Sequence, residues 1–122
     1  MIKFFSSVRF ALKGISHLVR SERNFQIHIV VLSFVCGLGI FFAIEPMEWI
    51  VILLISALVL LAEGLNTAFE KLCDHLHPEI HYNIRKIKDI AAGAVLLTSF
   101  FSLVIGAIIF LPKILAFVGY KF

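Results

Sequence analysis

Five side chains between residues 63 and 74 have types and spacing that could work together. Glu63, Asn66, Thr67, Glu70 and Asp74 lie in the stretch EGLNTAFEKLCD. On a helix of 3.6 residues per turn they share one stripe about 100° wide. The stretch comes directly after Trp49–Ala62, an uncharged run, so the stripe begins where an apolar span ends. With a rise of 1.5 Å per residue, Glu70 stands about 10 Å beyond Glu63 along the axis. An ionisable group at hydrocarbon depth costs about 2–3 kcal/mol or more and faces a protein interior or cavity, not lipid. A purely structural helix contact rarely needs several carboxylates, so the stripe reads as a site.

Other charged residues can join it. Glu22 stands just before one apolar run, and Asp89, next to Lys88, just before another. Gathered carboxylates repel one another unless a cation lies between them. Hard oxygen ligands suit Mg²⁺, which readily brings a nucleotide's phosphates with it. Lys88 would supply positive charge to a γ-phosphate, as phosphoryl transfer requires. A proton or cation pathway using Glu63 and Asp89 would place carboxylates at the same depths. The residue types therefore leave two classes open, a phosphoryl-transfer enzyme and a small transport or channel subunit. A purely structural subunit gives the carboxylates no reason to be there.

Other motifs are weaker. There is no GxxxxGK[ST] stretch, so a nucleotide site here has to be built from helices. The glycines read as close helix contacts. His75, His77 and His81 in HLHPEIH are spaced by two and four around Pro78, which matches no standard zinc spacing. His28, inside an apolar run, reads as a hydrogen-bonding partner of a neighbouring helix. His17 falls on a segment expected near lipid headgroups.

The elements that must hold these residues emerge from the apolar pattern. Of 122 residues, 61% are apolar and 16% charged, with a mean hydropathy of +1.02. So few charges cannot cover a soluble domain of this size, which leaves an all-α integral membrane protein of one domain, residues 1–122. Three runs are long enough to cross a bilayer, at about 27–44, 49–70 and 90–111. EPME links the first two as a tight turn, and Pro112 is expected to stop the third. Residues 3–20 repeat apolar positions at three- and four-residue steps opposite Lys3, Arg9, Lys13 and Arg20. This predicts an amphipathic helix lying on the membrane surface. Nothing resembles a cleaved signal peptide, so the first span is expected to be retained. Cys36 and Cys73 read as free thiols.

Loop charge orients the chain. The N-terminal segment holds five Lys or Arg, EPME none, and the segment between the last two spans Lys71, Arg85, Lys86 and Lys88. The positive-inside rule puts the first and third of these on the cytoplasmic side, with the acidic stripe.

EGLNTAFEKLCD, PEIH and KDIAAGAVLL, in this order and preceded by SERNFQIH, resemble the bacterial membrane diacylglycerol kinase and undecaprenol kinase family. The resemblance covers roughly residues 3–111. It implies a surface helix plus three transmembrane helices, assembled as a homotrimer with shared active sites in the bacterial inner membrane. The implied activity is transfer of the ATP γ-phosphoryl to the hydroxyl of a membrane lipid alcohol, undecaprenol or diacylglycerol, with Mg²⁺. By it, Glu63 matches the general base and Asn66 the polar residue that arranges the site. Glu22 and Glu70 match metal-binding carboxylates that also serve the nucleotide, and Glu79, His81, Lys88 and Asp89 match nucleotide and phosphate contacts. Ala91-Ala92-Gly93 replaces the Gly-Ser of the Gram-negative diacylglycerol kinases, as in the undecaprenol kinases. Lys3 and Phe10 stand where the former group has an arginine and a tyrosine.

Overall fold

In hydrocarbon a backbone N–H or C=O has no water to bond, so an apolar run must satisfy its own backbone, and a helix does this within one segment. The computed structural model, which describes residues 1–76 and 82–119, obeys that rule. Its order is α1 (Ile2–Ser21), α2 (Arg23–Phe41), α3 (Pro46–Leu76) and α4 (Tyr82–Phe117), with no strand among the described residues. The last three are long and apolar enough to cross a membrane. The chain is a multi-pass, all-α membrane protein. Polar residues inside the spans bond their own helix: Ser33 Oγ donates to the Ile29 carbonyl (2.9 Å), and Thr98 Oγ1 to those of Ala94 and Val95. Each thereby avoids an unsatisfied group in the hydrocarbon.

α1 and α2 meet at a single residue. Glu22 has an extended backbone (φ −103°, ψ 107°) and serves as the cap of both helices. Its N–H donates to the Leu18 carbonyl (3.1 Å), while its own carbonyl accepts from Gln26 N–H (3.0 Å). Gln26 Nε2 reaches back to the Val19 carbonyl (2.8 Å), so the corner is tied from both sides. α1 itself has no buried residue.

The turn between α2 and α3 falls three residues earlier than the EPME reading places it. Ala43 takes a φ of 49°, Ile44 N–H donates to the Gly39 carbonyl and Ala43 N–H to that of Ile40. This pair of bonds is the Schellman ending of a helix, here with Ala at the left-handed position. Pro46 then opens α3, where its missing N–H is no loss. Glu48 bends back so that its Oε2 accepts the Glu45 N–H at 3.0 Å, half of a capping box. Three of the four EPME residues are therefore helical.

Pro112 lies inside α4 and does not stop it. A proline costs one helical bond and crowds the preceding turn, but contacts made beyond it offset that cost. Phe117, on that last stretch, packs against Phe41 and Phe42 with ring centroids 5.5 and 6.2 Å away. Lys113 Nζ meets Glu48 Oε1 at 3.1 Å. Beneath this cap, Ile44, Ile52, Ile109 and Phe110 form a small core with Val35, Leu38, Phe42, Trp49 and Ile105 around it. Most other apolar side chains of the spans, Phe34, Leu96 and Leu103 among them, point outward, as lipid-facing residues do.

Gly39 is buried at this end, and a methyl group there would lie 2.7 Å from the Trp49 ring. The ring is rigid and wedged among core residues, so it cannot yield by a small rotation. Gly39→Ala is expected to lower stability in detergent by about 1–3 kcal/mol. Combining it with Trp49→Leu should recover most of that loss, whereas an additive double mutant would show that the two do not meet.

Candidate active site

Helix α3 runs without a break from its apolar half into EGLNTAFEKLCD, so the acidic stripe forms as one face. Its upper members are hidden: Glu63 is 3% exposed, Asn66 7% and Thr67 4%. Glu70 is half-buried, and Asp74 is open. The face thus grades from closed to wet along the axis.

What Glu63 meets comes from α2. His28 Nε2 lies 3.8 Å from Glu63 Oε2, and the Asn24 side chain also bonds the carboxylate. Asn24 and His28 are four residues apart, so both project from one side of α2. Glu22, at the corner, and Glu70, two turns along α3, are the other acidic groups within electrostatic reach of Glu63. Glu22 Oε1 is flanked by His17 (3.9 Å) and Lys71 (3.8 Å). Asn66 Nδ2 faces Glu70 Oε1 at 3.5 Å, while Asn66 Oδ1 is buried without a partner. An orphaned acceptor of this kind is costly unless a ligand serves it.

Lys88, at the start of α4, bonds Asp74 Oδ1 at 2.7 Å and so joins the wet end of the stripe. Asp89 does not. It faces Arg85 at 3.7 Å, one helical turn back, and both side chains are well exposed. Among the described residues, no contact links Asp89 to Glu63 as the relay reading expects. Glu79 and His81, like His77, lie outside the described residues. Asn24, His28, His17 and Lys71 also belong to the cluster. His28 was expected to meet a neighbouring helix and does so at Glu63, while His17 and Lys71 were read only for the headgroup region and loop charge, and Asn24 was not singled out. The i, i+4 spacing of Asn24 and His28 was the one available signal for two of them.

Two cavities adjoin the cluster. One, of about 280 Å³, lies among α2, α3 and α4 and is lined by His28, Ser56, Val59, Ser102, Gly106 and Phe110 with other apolar side chains. The other, of about 410 Å³, runs between α3 and α4 past Leu65, Asn66, Phe69 and Ala91.

The acidic groups fit a divalent cation in a limited way. No three His, Cys, Asp or Glu side chains among the described residues converge on one point. Glu22 and Glu70, both within electrostatic reach of Glu63, are the carboxylates that could contribute to a partial set. That suits an ion such as Mg²⁺, which uses one or two carboxylates and takes its remaining ligands from phosphates and water.

The profile described as prokaryotic diacylglycerol kinase matches residues 9–110, which contain α2, α3 and the whole cluster. The chain belongs to that family. Membership makes it a lipid kinase. The chain is 38% identical over 112 residues to an undecaprenol kinase of Bacillus subtilis, covering 92% of this chain and 91% of the relative. It is 35% identical over 111 residues to a diacylglycerol kinase of Synechocystis, covering 90% of this chain and 63% of that longer protein. A family of this kind uses ATP, generally with a divalent metal.

If Glu70 helps hold that metal, Glu70→Ala should raise the Mg²⁺ concentration needed for half-maximal turnover by tenfold or more. An unchanged metal titration would remove Glu70 from the ligand set.

Proposed function

We propose that the chain transfers the γ-phosphoryl group of ATP to the hydroxyl of a membrane lipid alcohol, with Glu63 as the general base and Mg²⁺ as the metal. The observation that carries this is the position of Glu63. Its carboxylate is sealed at 3% exposure at the end of an apolar helix, while the other charged groups of the stripe spread outward to Asp74 and Lys88. A lipid hydroxyl arrives from the hydrocarbon side and a nucleotide from the water side. Such a gradient lets each meet its own chemistry at one place.

In this reading Glu63 takes the proton as the lipid oxygen attacks the γ-phosphorus, and the bond to the bridging oxygen of ADP breaks. Asn66 holds Glu70 and presents its free oxygen toward the site. Lys88 steers phosphate, and the stretch 77–81 with Asp89 serves the nucleotide. Mg²⁺, when bound through Glu22 and Glu70, neutralises charge that develops on the phosphates. Water is kept from Glu63 by the packing of α2 over α3, so ATP is not simply hydrolysed.

The acceptor we favour is undecaprenol. The relative of that name matches end to end, at 91% of its length, and Ala91-Ala92-Gly93 fits the undecaprenol kinase pattern. The cavity that begins at His28 is lined mainly by apolar side chains, with Ser56 and Ser102 among them, and suits the hydrocarbon part of either lipid. Diacylglycerol is the second reading, favoured by the family description and the Synechocystis relative. We further propose a homotrimer with shared sites in the inner membrane. The N-terminus and the acidic stripe face the cytoplasm, and α1 lies on the membrane surface.

Radiolabelled ATP offered in detergent micelles with undecaprenol or diacylglycerol separately tests the acceptor. Label should enter undecaprenyl phosphate at least tenfold faster, and the reverse preference would assign diacylglycerol. Glu63→Gln should reduce turnover by 10³-fold or more and leave nucleotide affinity within about twofold. Normal turnover in that variant would take Glu63 out of the mechanism.

A further inference from the structure

A buried base that has accepted a proton must lose it before the next turnover, and the surroundings of Glu63 restrict where it can go. The carboxylate is 3% exposed, so water does not reach it freely. Its acidic neighbours, Glu22 and Glu70, serve the metal and nucleotide in the proposed reaction. Asn24 can hold the carboxylate but cannot accept a proton. The remaining neighbour is His28, with Nε2 3.8 Å from Glu63 Oε2 and a side chain that is 24% exposed. His28 also lines the cavity among α2, α3 and α4. It therefore faces the sealed carboxylate on one side and is partly exposed on another. Imidazole is the side chain best suited to passing a proton near neutral pH.

We propose that His28 is the positioning residue and proton outlet of Glu63. This rests on the reading of Glu63 as the base. The hydroxyl proton moves to Glu63 as the new P–O bond forms and ADP departs with the bridging oxygen. The same proton then passes from Glu63 Oε2 to His28 Nε2, giving a carboxylate and an imidazolium. The imidazolium releases a proton from Nδ1 to water, which leaves a carboxylate and the Nε2–H tautomer, and exchange of the ring proton through water returns Nε2 to its accepting form. The 3.8 Å gap exceeds a hydrogen bond of about 2.9 Å, so a side-chain rotation closes it during the cycle. In the resting state the same pair keeps the carboxylate turned toward α2.

The experiment compares the full-length protein in micelles with His28→Gln, His28→Leu and His28→Ala, measuring kcat and KM for ATP and lipid, with thermal stability alongside. Glutamine keeps a hydrogen-bond donor but cannot carry a proton, leucine keeps only volume, and alanine opens the existing cavity. All three variants should lose kcat by tenfold or more, with KM for ATP within about twofold of the parent. Added imidazole should restore part of the kcat of His28→Ala and none of that of His28→Leu. Parental kcat in His28→Gln overturns the proton outlet, because a hydrogen bond alone then suffices. Loss of kcat without imidazole rescue, tracking lost stability, overturns it in favour of a packing role. Failure of the parent protein to phosphorylate either lipid would instead overturn the kinase reading, so the two failures are distinct.

Discussion

The arrangement depends on keeping one carboxylate away from both water and lipid. Left to face hydrocarbon, Glu63 would cost several kcal/mol, and left in water it would be an ordinary acid. α3 alone cannot hide it, because a single helix exposes its whole circumference. The cover is α2, which brings Asn24 and His28 against the carboxylate. The position of α2 is set by the single-residue corner at Glu22 and by the tight turn after Phe41. The corner also places Glu22 beside Lys71 and His17, so the geometry that shields Glu63 delivers a second carboxylate to the cluster.

The two ends of the bundle do different work. At the Trp49 end, packing is close: Gly39 accepts the Trp49 ring, Ile52 and Phe110 fill the core, and Lys113 bonds Glu48. At the Glu63 end, Glu63, Asn66 and Thr67 are buried along with Phe25 and Cys73, one oxygen is unpaired, and a cavity runs past Asn66. The cavity that starts at His28 reaches the core at Ile52 and Phe110. A site that must admit a lipid from one side and a nucleotide from the other cannot be packed solid.

Much apolar surface on the spans remains uncovered within one chain. In a bilayer this carries no penalty, since lipid tails are as apolar as leucine. The hydrophobic effect therefore does little to choose the helix contacts here. Caps, the close approach at Gly39, a few ion pairs and buried polar groups choose them instead, whereas Gly14, Gly37, Gly93 and Gly106, expected to be close helix contacts, have nothing within 4 Å of an added methyl group.

The sequence by itself determined that three helices are long and apolar enough to span a membrane and that one of them carries a single acidic stripe, while the residue types left the class of chemistry to the family resemblance. Hydrophobic runs longer than a bilayer and the 3.6-residue period are one-dimensional signals, legible without neighbours. The stripe from Glu63 to Asp74 was legible for the same reason, because one helix carries it. The EPME turn and the stop at Pro112 were not legible, since what shifts them is distant: the left-handed Ala43, and the contacts of Lys113 and Phe117 with Glu48, Phe41 and Phe42. Asp89 stands next to Lys88 in the chain, yet adjacent helical residues point about 100° apart. One reaches Asp74 and the other turns to Arg85. Only the tertiary structure decided that Glu63 lies against His28. Residues 28 and 63 are on different helices, and no periodicity relates them; the corner at Glu22 and the turn at Ala43 do.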